Sequence, residues 1–172
     1  RRVLFRSTPM DFSAFYTRRP DMLRRAFSLS LAPDYLKTAE GDAVTNAQDY
    51  TIQLGRRFRA LKFWMIVRRY GVEGLQAHVR EHIRLAKVFA ALVEKDSRFE
   101  IAAPAIFSTV CFRLKSGDAA NQALIERVNA SGKLFISETR LNGRLTLRFA
   151  IGNVRSREEH VRAAWEEISR TG

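Results

Sequence analysis

The sequence has no run of about 18 apolar residues, the length that a membrane-spanning helix requires. Its longest apolar runs, such as Phe63–Val67, are the size of one core segment, so we expect no membrane contact. Cysteine is nearly absent. Cys111 is the single one, which excludes an internal disulfide and favours a reducing compartment. Because Cys111 falls in mid-strand with no histidine nearby in sequence, we expect a buried structural thiol there.

Several motifs of known chemistry are also missing. The sequence contains no Gly-x-Gly-x-x-Gly, no phosphate-loop lysine motif and no Gly-x-Ser-x-Gly. His78 and His82 have the spacing that lets two imidazoles on one helix share a metal, but they are not part of a His-Glu-x-x-His motif. The third histidine, His160, lies far along the chain. We therefore predict surface histidines and no metal site.

What the chain does have is apolar residues and positive charge. Its 172 residues are 46% apolar and include 12 Phe, which is typical of a globular protein with one domain or two. The net charge of +12 raises the possibility of a nucleic-acid surface. Acidic residues interrupt the basic ones along the whole length, which argues against a phosphate-binding stripe. A freestanding basic nucleic-acid-binding α+β module is therefore kept as the alternative, and no nucleic-acid partner is expected.

The segment Leu54–Gly71 joins a basic run to an apolar run and then to a second basic run. Read as a helix, it places Leu54, Phe58, Leu61 and Met65 on one side, at steps of four, three and four. The arginines then lie at the margins of that side. The pattern predicts a helix with a large apolar face and a cationic rim.

The residues before this helix have less regular patterns. Residues 8–16 suggest a short buried strand, and Asp21 is placed to cap a short helix that ends near Phe27. Residues 28–49 predict a loop of about twenty residues, a length that is usually functional or mobile. Its large polar aromatic is Tyr35. From the residues alone, an ordinary half-buried anchor is the favoured interpretation of Tyr35.

A second helix is predicted over Val72–Glu94, and short strands on either side of Pro104. Asp118 can cap the next helix, which Ser131-Gly132 would close. The inward stripe of the second helix is predicted to contain Leu75, Val79, Ile83, Ala86, Ala90 and Val93.

The last third of the chain predicts a hairpin and a helix. A strand starting at 134–136 leads to Asn142-Gly143, a strong hairpin signal, and the return strand alternates up to Ile151. Residues 156–159 read Ser-Arg-Glu-Glu, a capping box that opens the final helix. Arg148 lies off the apolar face of the return strand, as a solvated or interface residue. The order of elements predicts an α+β domain, with helices on one face of a mainly antiparallel sheet.

Beyond this, the chain resembles a known family. The segment Gly55–Lys62 with Trp64, followed by Tyr70–Leu75, is similar to the signature of the aromatic-L-amino-acid decarboxylases, the group II pyridoxal-phosphate-dependent decarboxylases. The resemblance extends from Thr8 to Ile168. Further matches occur in the family's order at Asp11–Phe15, Asp34–Lys37, Arg98–Ile101, Val110–Leu114, Leu147–Ile151 and Ala164-Trp165.

This resemblance implies a fold, a cofactor and an assembly. The fold is the C-terminal small domain of a type I pyridoxal-phosphate-dependent transferase, together with the last part of the large domain. The parent enzyme would be a cytoplasmic homodimer that uses pyridoxal 5'-phosphate as an electron sink to convert an aromatic L-amino acid to its amine and carbon dioxide. The implied domains are 8–53, the end of the large domain with a mobile catalytic loop, and 54–172, the linking helix and small domain.

The resemblance also implies two site residues. Tyr35 matches the tyrosine of the family's mobile loop, which reaches the neighbouring subunit's site and delivers a proton to the carbon that has lost its carboxylate. Relatives with Phe there tend toward oxidative aldehyde formation, so Tyr35 favours simple decarboxylation. Gly55 matches a position whose small size leaves room for a bulky aromatic substrate. The loop beyond Lys37 is shorter than in animal members, which leaves the preferred substrate open.

The family's cofactor lysine has no match in the chain. Its expected place is near Leu4, and no lysine precedes Lys37. Residues 1–7 resemble a translated sequencing-adapter oligonucleotide, which we favour over a genuine strand edge. We therefore expect a non-native leader, no cofactor-binding residue and no activity in the chain by itself.

Overall fold

A computed structural model describes residues 16–27, 50–51 and 57–170. The described residues belong to two compact units: 63–170 form one, and 16–27, 50–51 and 57–62 belong to the other. The boundary between the units falls inside a helix. The division at 53/54 that the sequence suggests is not tested by this boundary and stays a prediction. The predicted strand over 8–16 and the loop over 28–49 lie outside the described residues, apart from an exposed Tyr16.

The smaller unit contains one short helix among its described residues. Helix α1 is Pro20–Phe27. Proline fits the first helical position because its missing N–H has no partner there in any case. Asp21 therefore lies in the first turn, where its negative charge interacts favourably with the helix dipole. It is not the capping residue that the sequence suggested.

A long kinked helix leads into the larger unit. Helix α2 is Arg59–Glu94. The sequence predicted one helix up to Gly71 and a second from Val72; in the structure they form one helix with a kink at Gly71, with φ 67° and ψ 174°. Only glycine adopts this backbone conformation readily. The kink lets the two arms of α2 take different directions within one continuous element.

The sheet of the larger unit has four antiparallel strands in the order β1-β2-β4-β3. The strands are β1 Phe99–Ala103, β2 Thr109–Leu114, β3 Ser137–Leu141 and β4 Arg144–Ala150. The predicted turn joins β3 to β4: Asn142 and Gly143 both have positive φ, 52° and 77°. That is the type I′ geometry that favours this residue pair. The first hairpin strand begins at Ser137, later than predicted.

Helices pack against the sheet and enclose the core. Helix α3 is Asp118–Ala130 and helix α4 is Glu158–Ser169. Phe89 of α2 is fully buried, stacks on Phe149 at 4.1 Å between ring centroids, and meets Phe112 and Trp165 edge-on. This aromatic cluster joins α2, α4 and the sheet. The architecture is α+β, as predicted.

Three further predicted details of the helices are wrong. The buried stripe of α2 consists of His82, Leu85, Ala86, Phe89 and Val93, so Val79, which was predicted to be inward, is exposed. The buried stripe is rotated about the helix axis from its predicted position. The helix has apolar residues on two adjacent faces, and packing against the sheet buries one of these faces.

The other two details concern helix starts. Asp118 is the first residue of α3 and not its cap, because its carboxylate accepts the N–H of Leu145 and a bond from Arg140. At α4 the capping box is shifted by one residue. The N–H of Arg157 donates to His160 Nδ1 at 3.0 Å. The imidazole therefore accepts a backbone N–H at the start of the helix, the role that was predicted for the Glu159 carboxylate.

Within the part of the chain that the structure describes, no helix is long and apolar enough to cross a membrane.

Candidate functional site

Both site residues implied by the family resemblance, Tyr35 and Gly55, lie outside the described residues. Their roles stay predictions. What the structure does place is the segment that follows Gly55 in the signature, namely α2 and its kink.

The two arms of α2 present an apolar surface around the kink. Phe63 and Val67 of the first arm and Val72 and Leu75 of the second line one cavity of about 560 Å³. Trp64 is 58% exposed and Val72 is 64% exposed. Apolar side chains that are exposed together on this scale are typical of a surface that another part of a protein covers.

The cationic rim of this helix interacts with its own aromatics. The guanidinium of Arg68 lies 5.7 Å from the ring centroid of Trp64, and that of Arg69 lies 5.9 Å from the ring of Tyr70. Cation–π contacts of this kind hold a charge beside an apolar surface.

The helix begins at Arg59, so Phe58, which was predicted to lie on its apolar face, precedes it. Leu61 and Met65 of the predicted face are exposed apolar residues of the first arm.

The two histidines of α2 do not form a pair. His82 is only 7% exposed, and its Nε2 lies 3.1 Å from the backbone oxygen of Asn153. The ring of His78 meets Tyr70 edge-on at 5.2 Å. The predicted surface position is thus wrong for His82, which ties α2 to the segment before α4. Among the residues described, no three His, Cys, Asp or Glu side chains are grouped as metal ligands.

The sheet carries charged residues on the face opposite the helices. Glu100 pairs with Arg113 across β1 and β2, and Arg144 lies 3.3 Å from the same carboxylate. The hydrogen bond from Arg113 and the positive charge of Arg144 hold the pKa of Glu100 below its ordinary value. Cys111 lies on this face and is half-buried and free, less enclosed than predicted. Arg148 is its neighbour on β4.

Two asparagines of α3 were missed by sequence reasoning. Asn121 binds both backbone groups of Leu114, and Asn129 binds both backbone groups of Ile136. Each carboxamide hydrogen-bonds to the backbone as a neighbouring strand would, and this fixes a chain segment to the helix. The signal available in the sequence for these contacts was the presence of two asparagines on one predicted helix, eight residues apart.

Comparison with known proteins gives the class of protein to which this sheet and its helices belong. Residues 5–115 match the family described as the pyridoxal-dependent decarboxylase conserved domain. Because the match covers more than half of the chain, the chain belongs to this family.

Individual relatives support the same family assignment. The chain is 43% identical to tryptophan decarboxylase 1 of Oryza sativa subsp. japonica, over 95% of this chain and 34% of that protein. It is 44% identical to phenylacetaldehyde synthase of Arabidopsis thaliana, over 94% of this chain and 34% of that protein. A crystal structure of Oryza sativa TDC with PLP and tryptamine superimposes with a TM-score of 0.77 at 44% identity, over 84% of this chain and 32% of the other. The chain therefore spans about a third of the length of the relatives it matches.

Lys95 and Asp96 do not form a cradle for a pyridoxal phosphate. Such a site pairs a lysine with a polar partner for the ring nitrogen, commonly an aspartate. Lys95 and Asp96 line one cavity, but Arg98 holds both oxygens of Asp96, with its Nη2 at 2.7 Å from Oδ2 and its Nε at 3.0 Å from Oδ1. Asp96 is therefore committed to Arg98, and these residues do not fit the cofactor.

Proposed function

We propose that this chain is the C-terminal part of a longer pyridoxal-phosphate-dependent decarboxylase that converts an aromatic L-amino acid to its amine and carbon dioxide. The observation that carries the proposal is the 43% identity to a tryptophan decarboxylase over almost the whole chain. The cofactor supplies the electron sink when it is bound in the complete protein. The nucleic-acid-binding alternative finds no support among the relatives.

In this proposal Tyr35 is the catalytic residue of the chain. Its phenol donates a proton to the substrate carbon that has lost the carboxylate, which completes the amine. The long segment from 28 to 49 fits a loop that closes over a substrate and excludes water. Gly55 contributes space: the missing side chain leaves room for an indole or phenol ring.

The assembly follows from the same resemblance. The parent protein is proposed to be a cytoplasmic homodimer, with Tyr35 of one subunit serving the site of the other. Residues 8–53 are proposed to end the large domain and residues 54–172 to form the linking helix and small domain. The exposed apolar surface around the kink of α2 supports this, because a larger protein has the means to cover it.

The 172-residue chain alone is proposed to be inactive. The supporting observation is that no lysine precedes Lys37, whereas the family's cofactor lysine is expected near Leu4. Addition of pyridoxal phosphate to the purified chain should give no amine from tryptophan, tyrosine, phenylalanine or dopa. Amine formation by the purified chain would contradict this part of the proposal.

The complete protein tests the main proposal. It should be expressed with the cofactor and supplied with each of these four amino acids, with glutamate as a non-aromatic control. Release of carbon dioxide and the matching amine from at least one aromatic substrate is expected, with none from glutamate. Turnover of glutamate alone would overturn the aromatic assignment.

A second candidate function has its own support. One relative is a phenylacetaldehyde synthase at 44% identity, so the same scaffold is compatible with an aldehyde product. We favour the amine because position 35 is tyrosine. Measuring amine and aldehyde in the same reaction distinguishes the two.

A further inference from the structure

A cavity of about 630 Å³ lies between α3 and the sheet, away from the kink of α2. Its apolar floor is formed by Leu114, Ala120, Ala123 and Leu124. Its volume is in the range of sites that bind small organic molecules.

Three of the four described polar side chains around this floor are positively charged. Arg98, Lys115 and Arg127 line the cavity with the hydroxyl of Ser116, and no acidic side chain is among the described residues that line it. Lys115 and Arg98 are held in place by the chain: Lys115 Nζ donates to the backbone oxygen of Ser97 at 2.8 Å, and Arg98 donates to Asp96. Two fixed cations therefore stand at the edge of an apolar floor.

Arg127 differs from these two. Its Nη2 is buried and has no hydrogen-bond partner among the described residues. The hydrogen bond from Lys133, then the charges of Arg170 and Arg127, hold the pKa of Glu167 below its ordinary value. The two carboxylate oxygens of Glu167 already accept bonds from Lys133 and Arg170, at 2.8 and 3.0 Å. A buried guanidinium N–H without an acceptor is unfavourable, so rotation of Arg127 toward an acceptor in the cavity that it lines is favourable.

We propose that this cavity binds a carboxylate with an apolar body, whose carboxylate pairs with Arg127 and Lys115 while the body covers Leu114 and Leu124. The guanidinium fork matches the two oxygens of a carboxylate, and the apolar floor favours an aromatic or aliphatic remainder over inorganic phosphate.

The test uses the full 172-residue chain and 4-phenylbutanoate as the probe. Titration followed by amide NMR shifts should show saturable binding at about 1 mM or below, with the shifts concentrated in residues 114–127. 4-Phenylbutanamide, which has the same shape without the charge, should bind at least about tenfold more weakly. Inorganic phosphate should also bind at least about tenfold more weakly, because it gains nothing from the floor.

Variants distinguish the contribution of the charged side chains to binding from that of the apolar floor. Arg127→Gln should weaken binding of 4-phenylbutanoate at least about tenfold. Arg155→Gln, which removes an exposed charge outside the cavity, should leave binding unchanged. Ala123→Glu keeps the arginine and places a negative charge at an exposed lining position, so it should also weaken binding at least about tenfold.

Four results would each overturn the proposal. They are the absence of saturable binding, equal affinity for the amide, equal affinity for phosphate, and unchanged binding by a folded Arg127→Gln variant. If Arg127→Gln fails to fold by circular dichroism, Ala123→Glu decides, and unchanged binding by that variant would also overturn the proposal.

Discussion

The carboxamide of Asn121 binds both backbone polar groups of Leu114. Asn121 Oδ1 accepts the Leu114 N–H at 2.8 Å, and Asn121 Nδ2 donates to the Leu114 oxygen at 3.0 Å. Nδ2 also donates to the backbone oxygen of Gly117 at 2.8 Å. One buried side chain thus fixes the end of β2 to the first turns of α3.

Replacement of Asn121 by alanine should be strongly destabilising. Asn121 is 1% exposed, and its loss leaves buried backbone groups without partners, so the free energy of unfolding should fall by about 2–4 kcal/mol. Urea unfolding followed by circular dichroism measures this. Gln122→Ala on the same helix, at an exposed site, is the control and should change the free energy by less than about 0.5 kcal/mol. Equal effects of the two would show that the Asn121 bonds do not hold α3 to β2.

Asp118 should make stability depend on pH. The N–H of Leu145, then the guanidinium of Arg140, holds the pKa of Asp118 below its ordinary value of 3.8. A depressed folded-state pKa stabilises the fold above the unfolded-state value and loses that stabilisation as pH falls through the folded-state value. Asp118→Asn should therefore be less stable than the parent chain at pH 7, and the difference should shrink below pH 3.8.

The measurement is urea unfolding at several pH values. Glu138→Gln, an exposed carboxylate on β3, removes the same charge and serves as the control, with a smaller effect at pH 7. A difference for Asp118→Asn that stays constant from pH 7 to the acid limit of the fold would contradict the assignment.

The kink of α2 should depend on glycine at position 71. Its φ of 67° and ψ of 174° are costly for any residue with a Cβ, so Gly71→Ala should cost about 1–3 kcal/mol although the position has open space. Gly74→Ala, one turn later in regular helix, is the matched control. Its Cβ would lie 3.5 Å from the Tyr70 Cβ, an ordinary contact, and the change should stabilise by up to about 1 kcal/mol. Stabilisation by both would mean that α2 straightens without penalty.

Local patterns predicted much of this fold. The Asn142-Gly143 turn, the break at Gly71 and the end of α3 at Ser131-Gly132 were all visible, because each depends on a backbone conformation that few residues adopt. The α+β architecture followed from the order of the elements.

Features that depend on distant partners were not predictable. Asp118 looked like a cap until Leu145 and Arg140 were known to lie beside it, and His82 looked exposed until Asn153 was in place. Sequence spacing identifies neighbours along an element but not across the fold. The predicted sites, Tyr35 and Gly55, depended on resemblance to a family and not on local patterns.

The most direct test of the account is the product of the complete protein with Tyr35→Phe. Phenylalanine keeps the ring but cannot donate a proton, so amine formation from the preferred aromatic substrate should fall at least about a hundredfold while carbon dioxide release continues. In aerated buffer, aldehyde should replace amine: dioxygen takes up two electrons and leaves as hydrogen peroxide, and the substrate nitrogen leaves as ammonia. Binding of the cofactor, followed by its absorbance, should be unchanged. Amine formation at the parent rate in the Tyr35→Phe protein would contradict the account.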